Sequence, residues 1–284
     1  MKILSARVIL AGLLSLGLIA CSGEEEEKAE ETAVEKTETA APAEEEKAPE
    51  NFLPAIHLAA VANPARPETD TVRDEGRKPA QILDFFSINP NQTVVDLYSS
   101  GGYFTRLMAH VVGPEGSVTA HNSNRVKEEN RPKLIESFKD YSNVNFFFGD
   151  PSELENADGS VDVVFMGLIL HHWHYVKEEG EVLPEITKKR LANVYRMLKP
   201  GGIFAIIEHK ATAGWSREQS AALHRVPPEM AIADITSAGF VFAGETDIHT
   251  HAEDDITKFW RENTPRGMTN RFVHLYRKPL GPAE

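Results

Sequence analysis

The chain has 284 residues, with 43 Asp and Glu against 30 Lys and Arg and a formal net charge of −13. An acidic balance argues against a partner held by bulk attraction to phosphate, such as nucleic acid. The single cysteine, Cys21, excludes any intrachain disulfide.

The N-terminus opens with Lys2 and Arg7 and an apolar run over 8–20. That run is too short to span a bilayer and suits the apolar stretch of a secretory signal. It ends in Leu18-Ile19-Ala20-Cys21, which resembles the bacterial lipobox. The resemblance implies cleavage before Cys21 and acylation of that cysteine; two acyl chains hold a protein on a membrane where one is marginal. Residues 24–50 contain twelve Glu, three Lys and almost nothing apolar. Such a stretch cannot bury enough surface to offset its ordering entropy, and its like charges keep it extended. It carries most of the net charge, and no partner is assigned to it. The expected division is therefore a lipoprotein signal peptide over 1–20, a lipidated Cys21 with an acidic linker over 21–50, and one domain over 51–284. The expected location is the cell envelope, anchored to a bacterial membrane, with Ser22 after the cysteine pointing to the periplasmic face of the outer membrane.

From 51 to about 77, Pro54, Pro64 and Pro67 break up an entry segment that holds a short helix near 56–62. A helix follows over 78–86. Apolar strands are predicted at 93–97, 117–121, 144–148, 161–166 and 202–208. Helical spacing lies between them at 103–112, 128–138 and 185–198. A helix runs from Pro228 to about 238, and two further strands, 240–247 and 271–278, flank a long polar segment. Alternation at this interval predicts an α/β fold, Rossmann-like and doubly wound: a mostly parallel seven-stranded sheet with a C-terminal antiparallel β-hairpin.

Ligands of such sheets sit at the carboxyl ends of the strands, where the strand order reverses. The stretch VVDLYSSGGYFTRLM, residues 94–108, is a strand ending on Asp96, a small-residue turn and an amphipathic helix. Gly101 and Gly102 let the backbone approach a ligand, and the helix presents its N-terminus. Asp96 could bind an amine or orient the loop, and a tight strand–helix turn would explain the glycines equally well. SVTAHNS ends a second strand near Asn122, a position usual for a ribose-binding acid. Asp150 follows a third strand, VDVVFMGLILHHWH runs a fourth into His171, His172 and His174, and NVYRMLKPGGIFAIIEH closes a fifth on Glu208 and His209.

This ordered series resembles the class I S-adenosylmethionine-dependent methyltransferases over about residues 75–278. RMLKPGG before an apolar strand, with LHH some thirty residues earlier, is specific in combination. In detail it is similar to a bacterial group of predicted methyltransferases that share GRKPAQIL, GGYFT, EH after the fifth strand, and DDITK and NRFV near the end. The resemblance implies S-adenosylmethionine as cofactor. Asp96 with Ser99, Ser100, Gly101 and Gly102 would hold its methionine part, Asn122 would face the ribose, and Asp150 would accept from the adenine amine. Leu168 to His171 would line the wall between cofactor and substrate. Tyr98 and Ser100 replace the usual glycines. Ser100 costs little if its φ is negative, and Asn122 is a weaker acceptor of hydroxyl protons than the usual acid, by about 1–2 kcal/mol.

Three histidines invite a metal reading. Adjacent histidines on an extended segment point to opposite sides, so no metal site is assigned. A general base is the better role for His171 or His172, with structural packing of the post-strand loop as the alternative. Glu208 and His209, on the rim, could orient or deprotonate an acceptor or anchor a loop. Arg73, Arg77 and Lys78 could cover the cofactor or form a solvated helix start. The polar segment holding Asp254, Asp255 and Lys258 is long enough to be a lid. Two functions follow: methyl transfer to a small-molecule acceptor, or a non-catalytic ligand-binding module on a degenerate methyltransferase fold. A membrane-tethered scaffold is a weaker third, and no oligomeric state is predicted.

Overall fold

The structure is a computed structural model and describes residues 53–174, 183–262 and 267–281. The signal segment, Cys21 and the acidic linker lie outside the described residues. Seven strands form one sheet in the order β3-β2-β1-β4-β5-β7-β6. These are β1 (Thr93–Leu97), β2 (Ser117–Asn122), β3 (Val144–Phe148), β4 (Val161–Gly167), β5 (Leu198–His209), β6 (Val241–Thr246) and β7 (Arg271–Arg277). The first five are parallel, and β7 pairs antiparallel with both β5 and β6. The expected Rossmann-like architecture is thus the observed one.

The central strands are apolar on both faces because helices cover both, as a parallel sheet requires. One core joins Val94, Val163 and Ala205 to α1 (Ala55–Ala62) and to helices introduced below. The other joins Val95, Val164, Phe204 and Ile206 to Leu191 and Val194. The entry segment also contains two single-turn helices that its sequence did not announce, α2 (Glu68–Thr71) and α3 (Asp74–Arg77). Lys78 then takes a left-handed φ of 43°, and Pro79 starts α4 (Pro79–Phe85) at the position where a missing N–H costs nothing. Helix α5 (Tyr103–Val112) follows the turn after β1.

Three boundaries differ from expectation. The helix predicted at 128–138 is a 3-10 turn followed by α6 (Arg131–Glu136), shortened because Pro132 sits in its first turn and its exposed face packs little. After α7 (Glu185–Met197), β5 runs straight through the Lys-Pro-Gly-Gly stretch instead of starting after it. An irregular register against β4 between Val161 and Val163 absorbs that turn. An unpredicted helix, α8 (Arg217–Leu223), precedes α9 (Pro228–Ser237); the reciprocal cap between Ser216 and Gln219 was the signal available for it.

Candidate active site

The strand order reverses between β1 and β4, and two adjoining cavities open there, of about 190 and about 590 Å³. Tyr98, Ser100, Gly167, Leu168, Arg73, Arg77 and Arg271 border both.

The smaller cavity is built by the turn after β1. Gly102 has a φ of 79°, and a Cβ there would lie 2.1 Å from the Phe138 ring, so only glycine fits. Gly101 faces open space. Tyr98 and Ser100 also take left-handed φ values, 56° and 55°. The condition under which Ser100 would cost little is thus not met: both residues adopt the glycine geometry, at a cost of about 1–2 kcal/mol each. Local contacts hold them there. The Tyr98 N–H donates to His121 Nδ1 at 3.0 Å, and Trp173 Nε1–H donates to the Tyr98 hydroxyl at 3.1 Å. The Ser100 N–H donates to Asn122 Oδ1 at 3.0 Å, while Asn122 Nδ2–H donates to Ser99 Oγ at 2.8 Å.

Asn122 thus holds the loop through both amide atoms, each of which keeps capacity for one further hydrogen bond. Asp150 likewise has partners within the protein. Burial pushes its carboxyl up, but Arg190, Ser152 and their hydrogen bonds outweigh that and hold it below the usual range. Arg190 donates to it from Nε at 3.0 Å, and its Oδ1 caps the 3-10 turn at Pro151–Glu153. Neither residue borders the two cavities described above.

Asp96 lies where expected, buried at the strand end on the smaller cavity. Burial raises its pKa to about 7, against the pull of the Thr105 hydroxyl and Arg77. Thr105 Oγ1–H donates to it at 2.6 Å. The arginines arrive by packing rather than by proximity in sequence. Arg106 of α5 donates to Asp70 at 3.0 Å, and the Tyr103 hydroxyl donates to Asp74 at 2.6 Å, which docks α2 and α3 over the cavity with Arg73 and Arg77. Arg271 at the start of β7 donates to Gly267 O at 2.6 Å and faces the same space. His249, also on this wall, is 1 % exposed with both ring nitrogens unbonded, and burial first, then Arg271, pushes its pKa down to about 3. Neither Arg271 nor His249 was singled out as a wall residue by the sequence.

The larger cavity takes Leu168, Ile169, His171, His172, His209, His224, Trp260 and Arg261. Leu168 has a left-handed φ of 61°, which turns the chain off β4 into a 3-10 turn, Leu170–His174. The histidines are thus not on an extended segment, and the rings of His171 and His172 lie on the same side, centroids 4.3 Å apart. His174 instead pairs with Asp234 at 3.4 Å, away from the cavity. Glu208 is fully buried. It accepts from the His171 N–H at 3.0 Å, the His171 ring Nδ1 at 3.0 Å and the His209 N–H at 2.7 Å. Burial alone would raise its pKa; His171, His209 and these bonds bring it down to about 2. Glu208 is an anchoring carboxylate. The ring of His209 stacks on Trp260 at 4.8 Å, and its Nδ1 shares a hydrogen bond with the Thr269 hydroxyl at 2.8 Å. Burial lowers the pKa of His209 to about 3 and that of His172 to about 4, the latter helped by His171 and His224. Both are therefore neutral at neutral pH.

This geometry, a switch-point hollow with a backbone-lined turn and a second chamber beside it, agrees with the comparisons. Residues 95–206 match the family model of a methyltransferase domain. Over 151 residues the chain is 29% identical to the demethylmenaquinone methyltransferase of Listeria monocytogenes, covering 52% of this chain and 58% of that protein. Over 135 residues it is 32% identical to the arsenite methyltransferase of Halobacterium salinarum, covering 45% of this chain and 30% of that one. The chain thus spans less than two thirds of the curated relatives it matches. A S-adenosylmethionine-dependent methyltransferase from Aquifex aeolicus has the same fold, with a TM-score of 0.52 at 18% identity over 78% of this chain and 97% of that one. The fold is that of the class I S-adenosylmethionine-dependent methyltransferases.

Proposed function

We propose that the protein transfers a methyl group from S-adenosylmethionine to a small-molecule acceptor while anchored to a membrane by an acylated Cys21. The observation that carries the reading is the pair of joined chambers at the switch point. One is shaped by Asp96 and the turn 98–102, and the other is large enough for a small ligand. The residues fit the amino-acid end of the cofactor. A buried carboxyl with a pKa near 7 awaits an ammonium at Asp96, and guanidinium groups at Arg73 and Arg271 face the same hollow to receive a carboxylate. When bound, the cofactor supplies an electrophilic methyl on a sulfonium centre. This chain's residues align the acceptor and exclude water around it. The neutral imidazoles of His172 and His209 on the larger chamber are placed to take a proton from an acceptor. The curated relatives are named for demethylmenaquinone and arsenite, and a small acceptor fits the volume here.

A second reading, a binding module without turnover, is favoured by one observation: Asn122 and Asp150 both spend their polar atoms on the protein itself. Isothermal titration of the full chain with S-adenosylmethionine and S-adenosylhomocysteine, followed by single-turnover assays with labelled methyl donor, separates the two. Absence of heat and of any thermal shift at millimolar ligand would exclude the enzyme. The anchor has its own test: Cys21→Ser is expected to move the protein from the membrane to the soluble fraction and to abolish labelling by palmitate.

A further inference from the structure

The larger chamber holds an arrangement that proton removal by His209 does not need, and with His172 bound to a metal that task would fall to His209 alone. The rings of His171, His172 and His224 gather at centroid distances of 4.3, 4.7 and 5.0 Å, and each offers a nitrogen within 4.8 Å of the others. His224 comes from the end of α8, where it takes a left-handed φ of 52°. It is brought from fifty residues away to meet the turn after β4. Among the described residues, the rings of His172 and His224 have aromatic neighbours and no hydrogen-bonding partner. His171 is different, since its Nδ1–H donates to the buried Glu208, which leaves Nε2 as its remaining ring nitrogen. A carboxylate behind an imidazole is the arrangement that fixes a ligand's tautomer and raises its basicity.

We infer that His171, His172 and His224 form a binding site for a divalent transition-metal ion of the zinc type, backed by Glu208. Three imidazoles suit such an ion, and a tetrahedral centre with Zn–N of about 2.0–2.1 Å needs donor nitrogens roughly 3.3 Å apart. The exposed His172 ring closes that gap by rotating about its side-chain bonds. The three ligands come from two walls of the chamber, so the fourth position faces its interior. Three protein ligands and one open position make a reactive centre rather than a closed structural one. Arg261 borders the same chamber, so the charge balance favours an anion or an ionised acceptor heteroatom in that position. The site stands on ring geometry and does not depend on turnover or on cofactor binding.

The test uses the untagged full-length protein, stripped with a chelator and titrated with Co2+ and, in competition with a chromogenic chelator, with Zn2+. About one ion per chain and the intense visible bands of four-coordinate cobalt are expected. His172→Ala and His224→Ala should each remove the bands and the tight equivalent. Glu208→Gln should weaken Zn2+ binding by about 10- to 100-fold without changing the stoichiometry. His172 is exposed, so its variant decides the matter even if His224→Ala or Glu208→Gln fails to fold, as thermal melting would reveal. Lack of a cobalt band in the unaltered protein, or metal binding unchanged in His172→Ala as Cys21 or scattered surface histidines would give, overturns the inference. Titration with S-adenosylhomocysteine on the same stripped samples reports separately on the cofactor hollow.

Discussion

The left-handed backbone of Ser100 sets up a test that separates strain from contact. Its side chain is exposed, and the hydrogen bond to Asn122 comes from its backbone N–H. Ser100→Gly relieves about 1–2 kcal/mol of strain, and the freer unfolded chain offsets roughly half of that. A net gain of about 0.5–1 kcal/mol follows, a rise of about 1–3 °C in the unfolding midpoint by calorimetry. Tyr98→Gly should do the reverse, because losing the ring's packing on His121 and Trp173 outweighs the relieved strain. Asp96 carries a pH prediction. Its pKa lies near 7 in the free protein, and an ammonium partner favours the ionised form, so binding below that pH must release a proton. Affinity for S-adenosylhomocysteine should rise with pH to about 7 and then level off. Calorimetry at about pH 6 in two buffers of different ionisation enthalpy reads the released proton, and Asp96→Asn should abolish it. The positions of Asp96, Gly101 and Gly102 were legible, because a strand, a small-residue turn and a helix leave them nowhere else to go. The dihedral angle of Ser100 was not, since residue type alone does not set it.

At the scale of elements, β4 and β5 are tied at their carboxyl ends by Glu208, which reaches across to the backbone and ring of His171. Its ordinary pKa of 4.5 falls to about 2 in the fold. The stability it contributes is therefore fully present above pH 4.5 and is lost as pH drops from there toward 2. Acid unfolding monitored by circular dichroism should show this loss, and Glu208→Gln should flatten the curve over that window while lowering stability at neutral pH. The strand and helix order was readable from apolar runs and spacing. The partners that redirect side chains were not. Arg190 lies forty residues from Asp150, and His224 rides on α8, whose reciprocal cap at Ser216 and Gln219 was visible but was not weighed. The histidine pair was misread because Leu168 turns the chain into a 3-10 turn, where neighbours share a side.

On the scale of the molecule, part of the larger chamber's wall comes from the segment between β6 and β7, and a buried ion pair anchors that segment. Arg225 grips Asp254 through two hydrogen bonds of 2.8 Å, both side chains fully buried, and Asp254 also accepts from the Asn270 N–H at 2.8 Å. Removing one partner leaves a charge without its counterpart, at about 3–5 kcal/mol. Arg225→Met should lower the unfolding midpoint accordingly and make the 248–262 stretch the first cut by a protease. A charge pair thus ties the polar segment at Asp254 to the end of α8. One consequence concerns how such a protein diversifies. The smaller cavity takes most of its lining from residues 73–104 and the rest from Phe165, Gly167, Leu168, Ile207, His249 and Arg271, whereas the larger one shares Arg73, Arg77, Tyr98 and Ser100 with it and draws His209, His224, Trp260 and Arg261 from later in the chain. A lineage that swapped residues 209–271 for a relative's would thereby re-line much of the larger chamber while touching the smaller one only at His249 and Arg271.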